Sequence, residues 1–307
     1  MTDAALSLQG AISKALLLAH GAQGPYLSGV RVTVLEVLKL ASEHLGKHGS
    51  DSARLDAELL LAHALGLRRL DLYLKFDRLM NEAELTAYRD LVARRAKGEP
   101  VAYLVGHKEF MGLDFEVSPA VLVPNPDTEV LVQRAVALAR ESGRALRVAD
   151  VGTGSGCIAI AVARYAPEVE VWASDVSQEA LDVATRNTAK HELTGRIHLA
   201  CGDLMEPLPG SFDLVCANLP YVAAGSRLAR EVVAQPAQAL YAGQDGAALV
   251  TRLLAEAPAR LSPGGRVLAE LDPSILSAVL AAADLGFAGR VVHRDLGGHD
   301  RVLETWS

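Results

Sequence analysis

The sequence is poor in cysteine and contains no long hydrophobic run. Its three cysteines, Cys157, Cys201 and Cys216, are widely spaced. This spacing disfavours a disulfide framework or a cysteine-based metal site, so we expect reduced core thiols and no bound metal. No apolar stretch approaches the roughly 18 to 20 residues that span a bilayer. The N-terminus lacks the basic start and the small-residue cleavage site of a signal peptide. We therefore expect a cytoplasmic protein that does not insert into a membrane.

The chain also lacks an excess of positive charge. It carries 30 Lys and Arg residues against 37 Asp and Glu residues, for a formal net charge of -7. Surfaces that bind nucleic acid nonspecifically are strongly basic. We therefore expect no stable nucleic-acid binding and favour a protein or small-molecule partner. Half of the residues are hydrophobic and 22% are charged, as in folded globular proteins. The length of 307 residues suits two domains.

Clusters of glycine and proline divide the chain into four predicted segments. Residues 1–28 are predicted to be an N-terminal extension, either a short amphipathic helix or a flexible tail. Residues 29–99 form a predicted helical domain that recognises the substrate. Residues 100–123 predict a β-hairpin connector, with a strand pattern from Val101 onward. Residues 124–307 form the predicted catalytic domain.

The predicted helical domain rests on repeated apolar stripes. Its second helix is expected to direct Leu55 and Leu59 inward. Its third helix begins after Asn81, with Glu84 three residues later as the partner in a capping box. Arg95, near the end of that helix, is interpreted as a solvated residue that the helix dipole favours. A small bundle of short helices follows from these patterns.

In the predicted catalytic domain, strand and helix patterns alternate, which predicts an α/β fold with a doubly wound, mostly parallel sheet. The last two strands, 290–295 and 301–306, are joined by too few residues for a helical crossover, so they must pair antiparallel. The result is a seven-stranded sheet with an antiparallel C-terminal hairpin. The predicted strands before that hairpin are 147–151, 170–174, 196–200, 212–217 and 266–271.

A glycine-rich loop follows the first strand of this sheet. Glycines in a turn between a strand and a helix allow backbone N–H groups to approach a ligand. The spacing is not that of the dinucleotide fingerprint, because Cys157 stands where its third glycine would be. It resembles the first motif of S-adenosylmethionine-dependent methyltransferases. The cofactor-binding residues predicted here are Asp150, Gly152, Thr153, Gly154, Ser155 and Gly156.

The next two strands also end in residues suited to a nucleoside. Asp175 ends the second strand, where a carboxylate can accept hydrogen bonds from both ribose hydroxyls. Asp203 follows the third strand and can meet the adenine amine, while Leu204 beside it can cover the ring. Because ligands bind at the carboxyl ends of parallel strands, these residues are predicted to share one site with the glycine loop.

The fourth strand ends in Asn218, Leu219, Pro220 and Tyr221, which we predict to be the catalytic residues. The Asn218 side-chain oxygen is an acceptor, and Pro220 biases Leu219 towards an extended conformation that turns its carbonyl alongside. Two such acceptors can hold a planar NH2 group, against which the Tyr221 ring can pack. Holding both hydrogens stabilises the more tetrahedral nitrogen of a methyl-transfer transition state. Asn218 is also expected to contact the cofactor.

The sequence from about residue 34 to 307 resembles the protein N5-glutamine methyltransferase family. The resemblance is carried by residues 55–66, 93–106, 117–124 and 126–129, by Asn-Leu-Pro-Tyr at 218–221, and by the tail at 294–301. It implies S-adenosyl-L-methionine as methyl donor. The implied acceptor is the glutamine of the Gly-Gly-Gln motif in peptide-chain release factors, which the helical domain helps to dock. We expect a monomer.

Four residues depart from the usual pattern of that family: Leu219, Asn125, Gln235 and Asp272. These four departures are expected to affect the rate and the choice of substrate more than the type of reaction. Asn-Leu-Pro-Tyr is also found in ribosomal RNA adenine dimethyltransferases, so an adenine amine of RNA or DNA is an alternative acceptor. A glutamine of a ribosomal protein is another. A noncatalytic binding module is a third, which the intact Asn218 and glycine loop oppose.

Overall fold

The computed structural model describes residues 32 to 307, and these divide into two compact units. The first comprises the described residues up to Val105 together with Arg230–Ala234. The second comprises Gly106–Ala229 and Gln235–Ser307. The predicted extension at residues 1–28 lies outside the described residues. The domain boundaries predicted from the sequence, at residues 28, 99 and 123, stay predictions beside this division.

The first unit is helical. Thr33 begins its first helix with a capping box to Glu36, and the predicted capping box of Asn81 with Glu84 is present. Gly66 ends the second helix in a left-handed conformation, which glycine adopts at little cost. The helices are α1 (Val34–Lys47), α2 (Ala53–Leu65), α3 (Arg69–Leu74), α4 (Glu82–Ala96), α5 (Val101–Val105) and α9 (Arg230–Val233).

The inner face of α2 differs from the predicted one. Leu55 and Leu59 are 42% and 37% exposed, whereas the carboxylates of Asp56 and Glu58 are buried. Leucines occur on several sides of this helix, so the apolar pattern does not select one face. The acids can be buried because they are paired: Asp56 accepts from Arg95 at 2.7 Å. Arg95 is therefore a buried ion-pair residue, and its predicted solvent exposure is wrong.

The strand pattern predicted from Val101 onward is wrong in its first residues. Residues Val101–Val105 form the short helix α5, and the Pro100 carbonyl accepts from the backbone N–H groups of Tyr103 and Leu104. Proline favours the first turn of a helix, which explains the difference. The predicted hairpin follows directly, as the antiparallel pair β1 (His107–Phe110) and β2 (Leu113–Glu116).

The second unit contains the predicted seven-stranded sheet, with the order β5-β4-β3-β6-β7-β9-β8. Strands β3 to β7 are parallel, and the last two strands pair antiparallel as predicted. The strands are β3 (Arg147–Val151), β4 (Glu170–Asp175), β5 (Ile197–Cys201), β6 (Phe212–Ala217), β7 (Leu261–Glu270), β8 (Gly289–Arg294) and β9 (Asp300–Trp306).

Helices connect most of these strands, but β5 leads to β6 and β8 leads to β9 without one. Buried apolar residues form a separate core on each face of the sheet. Strand β7 begins five residues before its predicted start, because the segment from Leu261 pairs with Phe212 across a register shift. The helices of this unit are α6 (Glu129–Ser142), α7 (Cys157–Tyr165), α8 (Gln178–Lys190), α10 (Ala237–Leu240), α11 (Ala248–Glu256) and α12 (Leu276–Gly286).

Two further sequence expectations concern membranes and cysteines. No helix within residues 32–307 is long and apolar enough to cross a membrane. Across the same residues, no group of three or more His, Cys, Asp and Glu side chains could hold a metal ion. Cys216 is buried and Cys157 partly buried, but Cys201 is exposed. The expectation of a core thiol is wrong for Cys201, because this residue ends β5 at the edge of the sheet.

Candidate methyl-transfer site

A cavity of about 400 Å³ lies in the second unit, at the carboxyl ends of the parallel strands. Open parallel sheets bind ligands at this edge, and the volume is that of a small-molecule site. The cavity is lined by ten of the residues predicted from the sequence: Gly152, Thr153, Gly154, Ser155, Asp175, Asp203, Leu204, Asn218, Leu219 and Pro220. Three predicted residues, Asp150, Gly156 and Tyr221, are not part of that lining.

The glycine loop after β3 lies against the neighbouring strand. The backbone N–H groups of Gly152 and Thr153 both donate to the Ser174 carbonyl, at 2.9 Å each. Gly152 has a φ of +77°, and a Cβ atom there would lie 2.8 Å from Leu219 Cδ2. A side chain at this position would therefore strain the backbone and press on the Asn-Leu-Pro-Tyr turn. The loop therefore forms part of the cavity wall, with these two N–H groups already bonded to the neighbouring strand.

Asp150 holds the loop from beneath. Its carboxylate accepts from the Thr153 hydroxyl at 2.6 Å and from the backbone N–H of Ala159 at 3.1 Å. The residue is fully buried, and burial raises the pKa of its carboxyl to about 7, although these two hydrogen bonds oppose the rise. Asp150 thus ties the loop to the first turn of α7. Its predicted contact with the cofactor stays a prediction.

Asp175 is oriented by two backbone donors. Its Oδ2 accepts from the N–H of Gly154 and its Oδ1 from the N–H of Ser177, both at 2.9 Å. Each carboxylate oxygen has more than one acceptor position. Asp175 can therefore accept further hydrogen bonds from vicinal hydroxyls in the cavity while its orientation stays fixed.

The loop after β5 brings Asp203 and Leu204 to the cavity wall. Asp203 forms an ion pair with Arg252 of α11, a partner that the sequence analysis missed because it lies 49 residues away. Leu204 is buried with a φ of +43°, a conformation that costs free energy for a side-chain-bearing residue. Its carbonyl accepts from the Ser174 hydroxyl at 2.6 Å, which holds this strained turn in place.

Asn218 follows β6 directly and is held through its amide nitrogen. That nitrogen donates to the Thr128 hydroxyl at 3.0 Å, which leaves the Asn218 side-chain oxygen as the acceptor for a ligand in the cavity. Thr128 is buried and also lines the cavity. In the sequence, Thr128 stands out only as part of the segment 126–129 that carries the family resemblance, and nothing there predicts its contact with Asn218.

Leu219 and Tyr221 differ in their surroundings. Leu219 is buried in the core below the cavity. Tyr221 packs partly buried against the same core, and burial raises the pKa of its hydroxyl to about 12, with nearby carboxylates adding to the rise. The aromatic side chain that lines the cavity is Tyr241, which the sequence analysis missed. The predicted packing of Tyr221 against the substrate stays a prediction.

The other three departures from the family pattern accept hydrogen bonds from the backbone. Asn125 caps the turn Pro126–Thr128 by accepting from the N–H of Asp127 at 3.2 Å. Gln235 accepts from the N–H of Val123 at 2.9 Å, and Asp272 accepts from the N–H of Ser274 at 2.9 Å. All three side chains supply an oxygen acceptor to a backbone N–H group, which for Gln235 lies 112 residues away in the chain.

The strand order, the antiparallel last pair and the glycine loop beside Asp175 define a methyltransferase that uses S-adenosyl-L-methionine. Residues 36–106 match the family model described as PrmC N-terminal domain, and residues 125–245 match that described as Methyltransferase small domain. A solved methyltransferase from Pyrococcus furiosus aligns with a TM-score of 0.49 and 22% identity, over 70% of this chain and 96% of that one.

Curated relatives define the family more narrowly. The release factor glutamine methyltransferase of Rhodopirellula baltica is 41% identical over 283 residues, which are 88% of this chain and 95% of that protein. The enzyme of the same name from Geobacter sulfurreducens is 40% identical over 276 residues, with the same coverage of 88% and 95%. The chain belongs to the release factor glutamine methyltransferase family, which confirms the resemblance found in the sequence.

Proposed function

We propose that this protein transfers a methyl group from S-adenosyl-L-methionine to the side-chain nitrogen of the glutamine in the Gly-Gly-Gln motif of peptide-chain release factors. The observation that carries the proposal is the fixed Asn218 amide. Its nitrogen is engaged by Thr128 at 3.0 Å, and its oxygen is left to bind a donor in the cavity that Gly152 and Asp175 also line. An amide acceptor thus lies beside a nucleoside site.

The chain's residues fit the methyl donor. Gly152 has no Cβ atom, which would otherwise contact the Leu219 side chain and displace the loop. Asp175 presents a carboxylate that can accept hydrogen bonds beyond the two it already receives. When bound, S-adenosyl-L-methionine supplies an electrophilic methyl group on a positively charged sulfur. The apolar walls around Leu219 exclude water from such a group.

The role of Asn218 follows from the chemistry of an amide. The lone pair of an amide nitrogen is delocalised into the carbonyl group, so the nitrogen is a weak nucleophile. We assign the Asn218 oxygen and the Leu219 carbonyl to hold the two hydrogens of the substrate NH2 group. These contacts strengthen as positive charge develops on the nitrogen, so they favour the transition state over the bound substrate. Fixed positioning supplies further rate.

A protein substrate is larger than the cavity, so we assign part of its docking to the helical unit. On and after α3, Leu70, Leu74 and Phe76 are 69%, 79% and 53% exposed. Exposed apolar side chains in a group are typical of protein interaction sites. We further propose that the enzyme acts as a monomer in the cytoplasm, where release factors are found.

The test is methyl transfer from radiolabelled S-adenosyl-L-methionine to three acceptors. These are a purified release factor, the same factor with its Gly-Gly-Gln glutamine changed to alanine, and unmodified ribosomal RNA. We expect label on the intact factor alone. Label on the RNA would establish the adenine alternative. No label on any of the three would overturn the proposal and point to another acceptor, such as a glutamine of a ribosomal protein.

A further inference from the structure

The Thr128 hydroxyl connects Asn218 to a buried acid. Thr128 ends the turn Pro126–Thr128, and its oxygen accepts the amide hydrogen of Asn218 at 3.0 Å. A hydroxyl that accepts a hydrogen bond keeps its own hydrogen to donate. The buried carboxyl of Glu270 lies close enough to the same Thr128 side chain for Thr128 to lower its pKa.

Glu270 lies beside Asn218, at the end of the strand that pairs with β6. It is the last residue of β7, which pairs in parallel with β6, and Asn218 follows the last residue of β6. Glu270 is 1% exposed, and its Oε2 has no hydrogen-bond partner among the described residues. A buried carboxyl with so few partners is costly to the fold. Such a cost is more readily explained by a function than by stability.

The direction of these hydrogen bonds decides how the Asn218 amide is oriented. The two ends of an asparagine amide are nearly equal in shape, so packing alone does not distinguish them. An ionised Glu270 can only accept a hydrogen bond. It therefore takes the Thr128 hydrogen, which leaves the Thr128 oxygen to accept from Asn218. The Asn218 nitrogen is then committed, and its oxygen is left to bind a ligand.

We propose that Thr128 and Glu270 are positioning residues, which act through Asn218 by fixing which end of its amide meets the substrate NH2 group. This inference rests on the proposed function. If the amide were reversed, its NH2 group would face the substrate NH2 group, and two donors cannot bond to each other. The pair thus selects the productive orientation of the acceptor.

The surroundings of Glu270 make the selection sensitive to pH. Burial raises the pKa of Glu270 to about 7, with the Asp127 charge adding to the rise, while Thr128 and the Arg301 charge oppose it. The Tyr221 hydroxyl and the Cys157 thiol also face this carboxyl. Below its pKa the acid carries a proton and can donate to Thr128 as well as accept from it. The hydrogen-bond direction is then no longer fixed.

The experiment compares Thr128→Val, Thr128→Ser and Glu270→Gln with the wild-type enzyme, acting on a release factor. We expect Thr128→Val to lower kcat by about 100-fold, the scale of a misplaced reacting group, with the dissociation constant of S-adenosyl-L-methionine unchanged. Thr128→Ser keeps the hydroxyl and should restore most of the rate. Thr305→Val is the matched control, because the Thr305 hydroxyl is buried without a partner among the described residues. It should leave the rate unchanged.

Glu270→Gln gives the second readout. Its amide can donate or accept, so we expect a lower rate and the loss of the decline in activity below about pH 7. A wild-type rate in Thr128→Val, or an unchanged pH profile in Glu270→Gln, would overturn the inference. If Thr128→Val does not fold, the Glu270→Gln profile decides alone. Transfer by the wild type to the release factor separates these outcomes from failure of the proposed function.

Discussion

The backbone N–H of Gly154 donates to Asp175 Oδ2 at 2.9 Å, so the glycine loop and the acid of the next strand are directly bonded. The same carboxylate accepts from Ser177 at its other oxygen. Two rigid backbone donors therefore fix its direction before any ligand binds. Preorganisation of this kind lowers the entropic cost of binding.

Asp175→Ala should weaken cofactor binding. The change removes a charged acceptor from the cavity wall and leaves the Gly154 N–H without this partner. Hydrogen bonds to a charged group contribute about 1.5 to 3 kcal/mol each, so the dissociation constant of S-adenosyl-L-methionine should rise about 10-fold to 100-fold. Isothermal titration calorimetry measures this directly. Asp182→Ala, at an exposed position on helix α8, which follows Asp175 in the chain, is the control. Equal affinity of Asp175→Ala and wild type would contradict the assignment.

Gly152→Ala should impair cofactor binding for a different reason. The added Cβ would lie 2.8 Å from Leu219 Cδ2 at a φ of +77°, so loop and turn must both shift. Gly143→Ala is the matched control, because its φ is +62° but nothing lies within 4 Å of its Cβ. Each variant carries a backbone cost of about 1 kcal/mol. Only Gly152→Ala should weaken cofactor binding, and similar affinities in the two variants would refute the steric argument.

The sequence predicted the residues that line the cavity better than the residues that hold them in place. Each strand end carries a polar residue close in sequence to a recognisable turn, so ten of the predicted residues line the cavity. Residues whose role comes from distant contacts were not predictable. Arg252 reaches Asp203 across 49 residues, and Thr128 reaches Asn218 across 90. Nothing local distinguishes either residue from an ordinary helix or cap position.

Arg95→Ala should destabilise the helical unit strongly. The Arg95 side chain is 8% exposed and pairs with Asp56 at 2.7 Å and with Glu231 at 2.6 Å. Removing one partner of a buried ion pair costs about 3 to 5 kcal/mol, since the remaining charge stays buried. Arg94→Ala is the matched control: its pair with Glu99 is exposed and should contribute at most about 1 kcal/mol. Urea unfolding followed by circular dichroism measures both, and equal midpoints would contradict the prediction.

Glu304 should contribute to stability at neutral pH and lose that contribution in acid. Burial alone would raise the pKa of Glu304, but hydrogen bonds and charge from Arg134, His293 and Arg266 outweigh it and hold the pKa at about 2, below the usual 4.5. A lowered folded-state pKa stabilises above the unfolded value and ceases to do so as pH falls towards the folded value. The difference in unfolding free energy between wild type and Glu304→Gln should therefore shrink from pH 5 to pH 2. A constant difference would contradict this account.

The fold was predictable where the pattern of residues was unambiguous. Alternation of strand and helix gave the parallel sheet, and the short link before β9 required the antiparallel pair. The face of α2 was not predictable, because leucines surround the helix while Asp56 and Glu58 point inward. Their burial depends on Arg95 and on Tyr73, whose hydroxyl donates to Glu58 at 2.6 Å. Such pairing is a property of the folded chain, which local periodicity does not report.

The most direct test of the account is the rate of Asn218→Ala on a release factor, with cofactor affinity measured on the same preparation. The change removes the acceptor oxygen that we assign to hold the substrate NH2 group. We expect methyl transfer to fall by about 100-fold to 1,000-fold, as for other groups that stabilise developing charge, while S-adenosyl-L-methionine binds almost as before. A wild-type rate in Asn218→Ala would contradict the assignment of Asn218 as the residue that holds the glutamine amide.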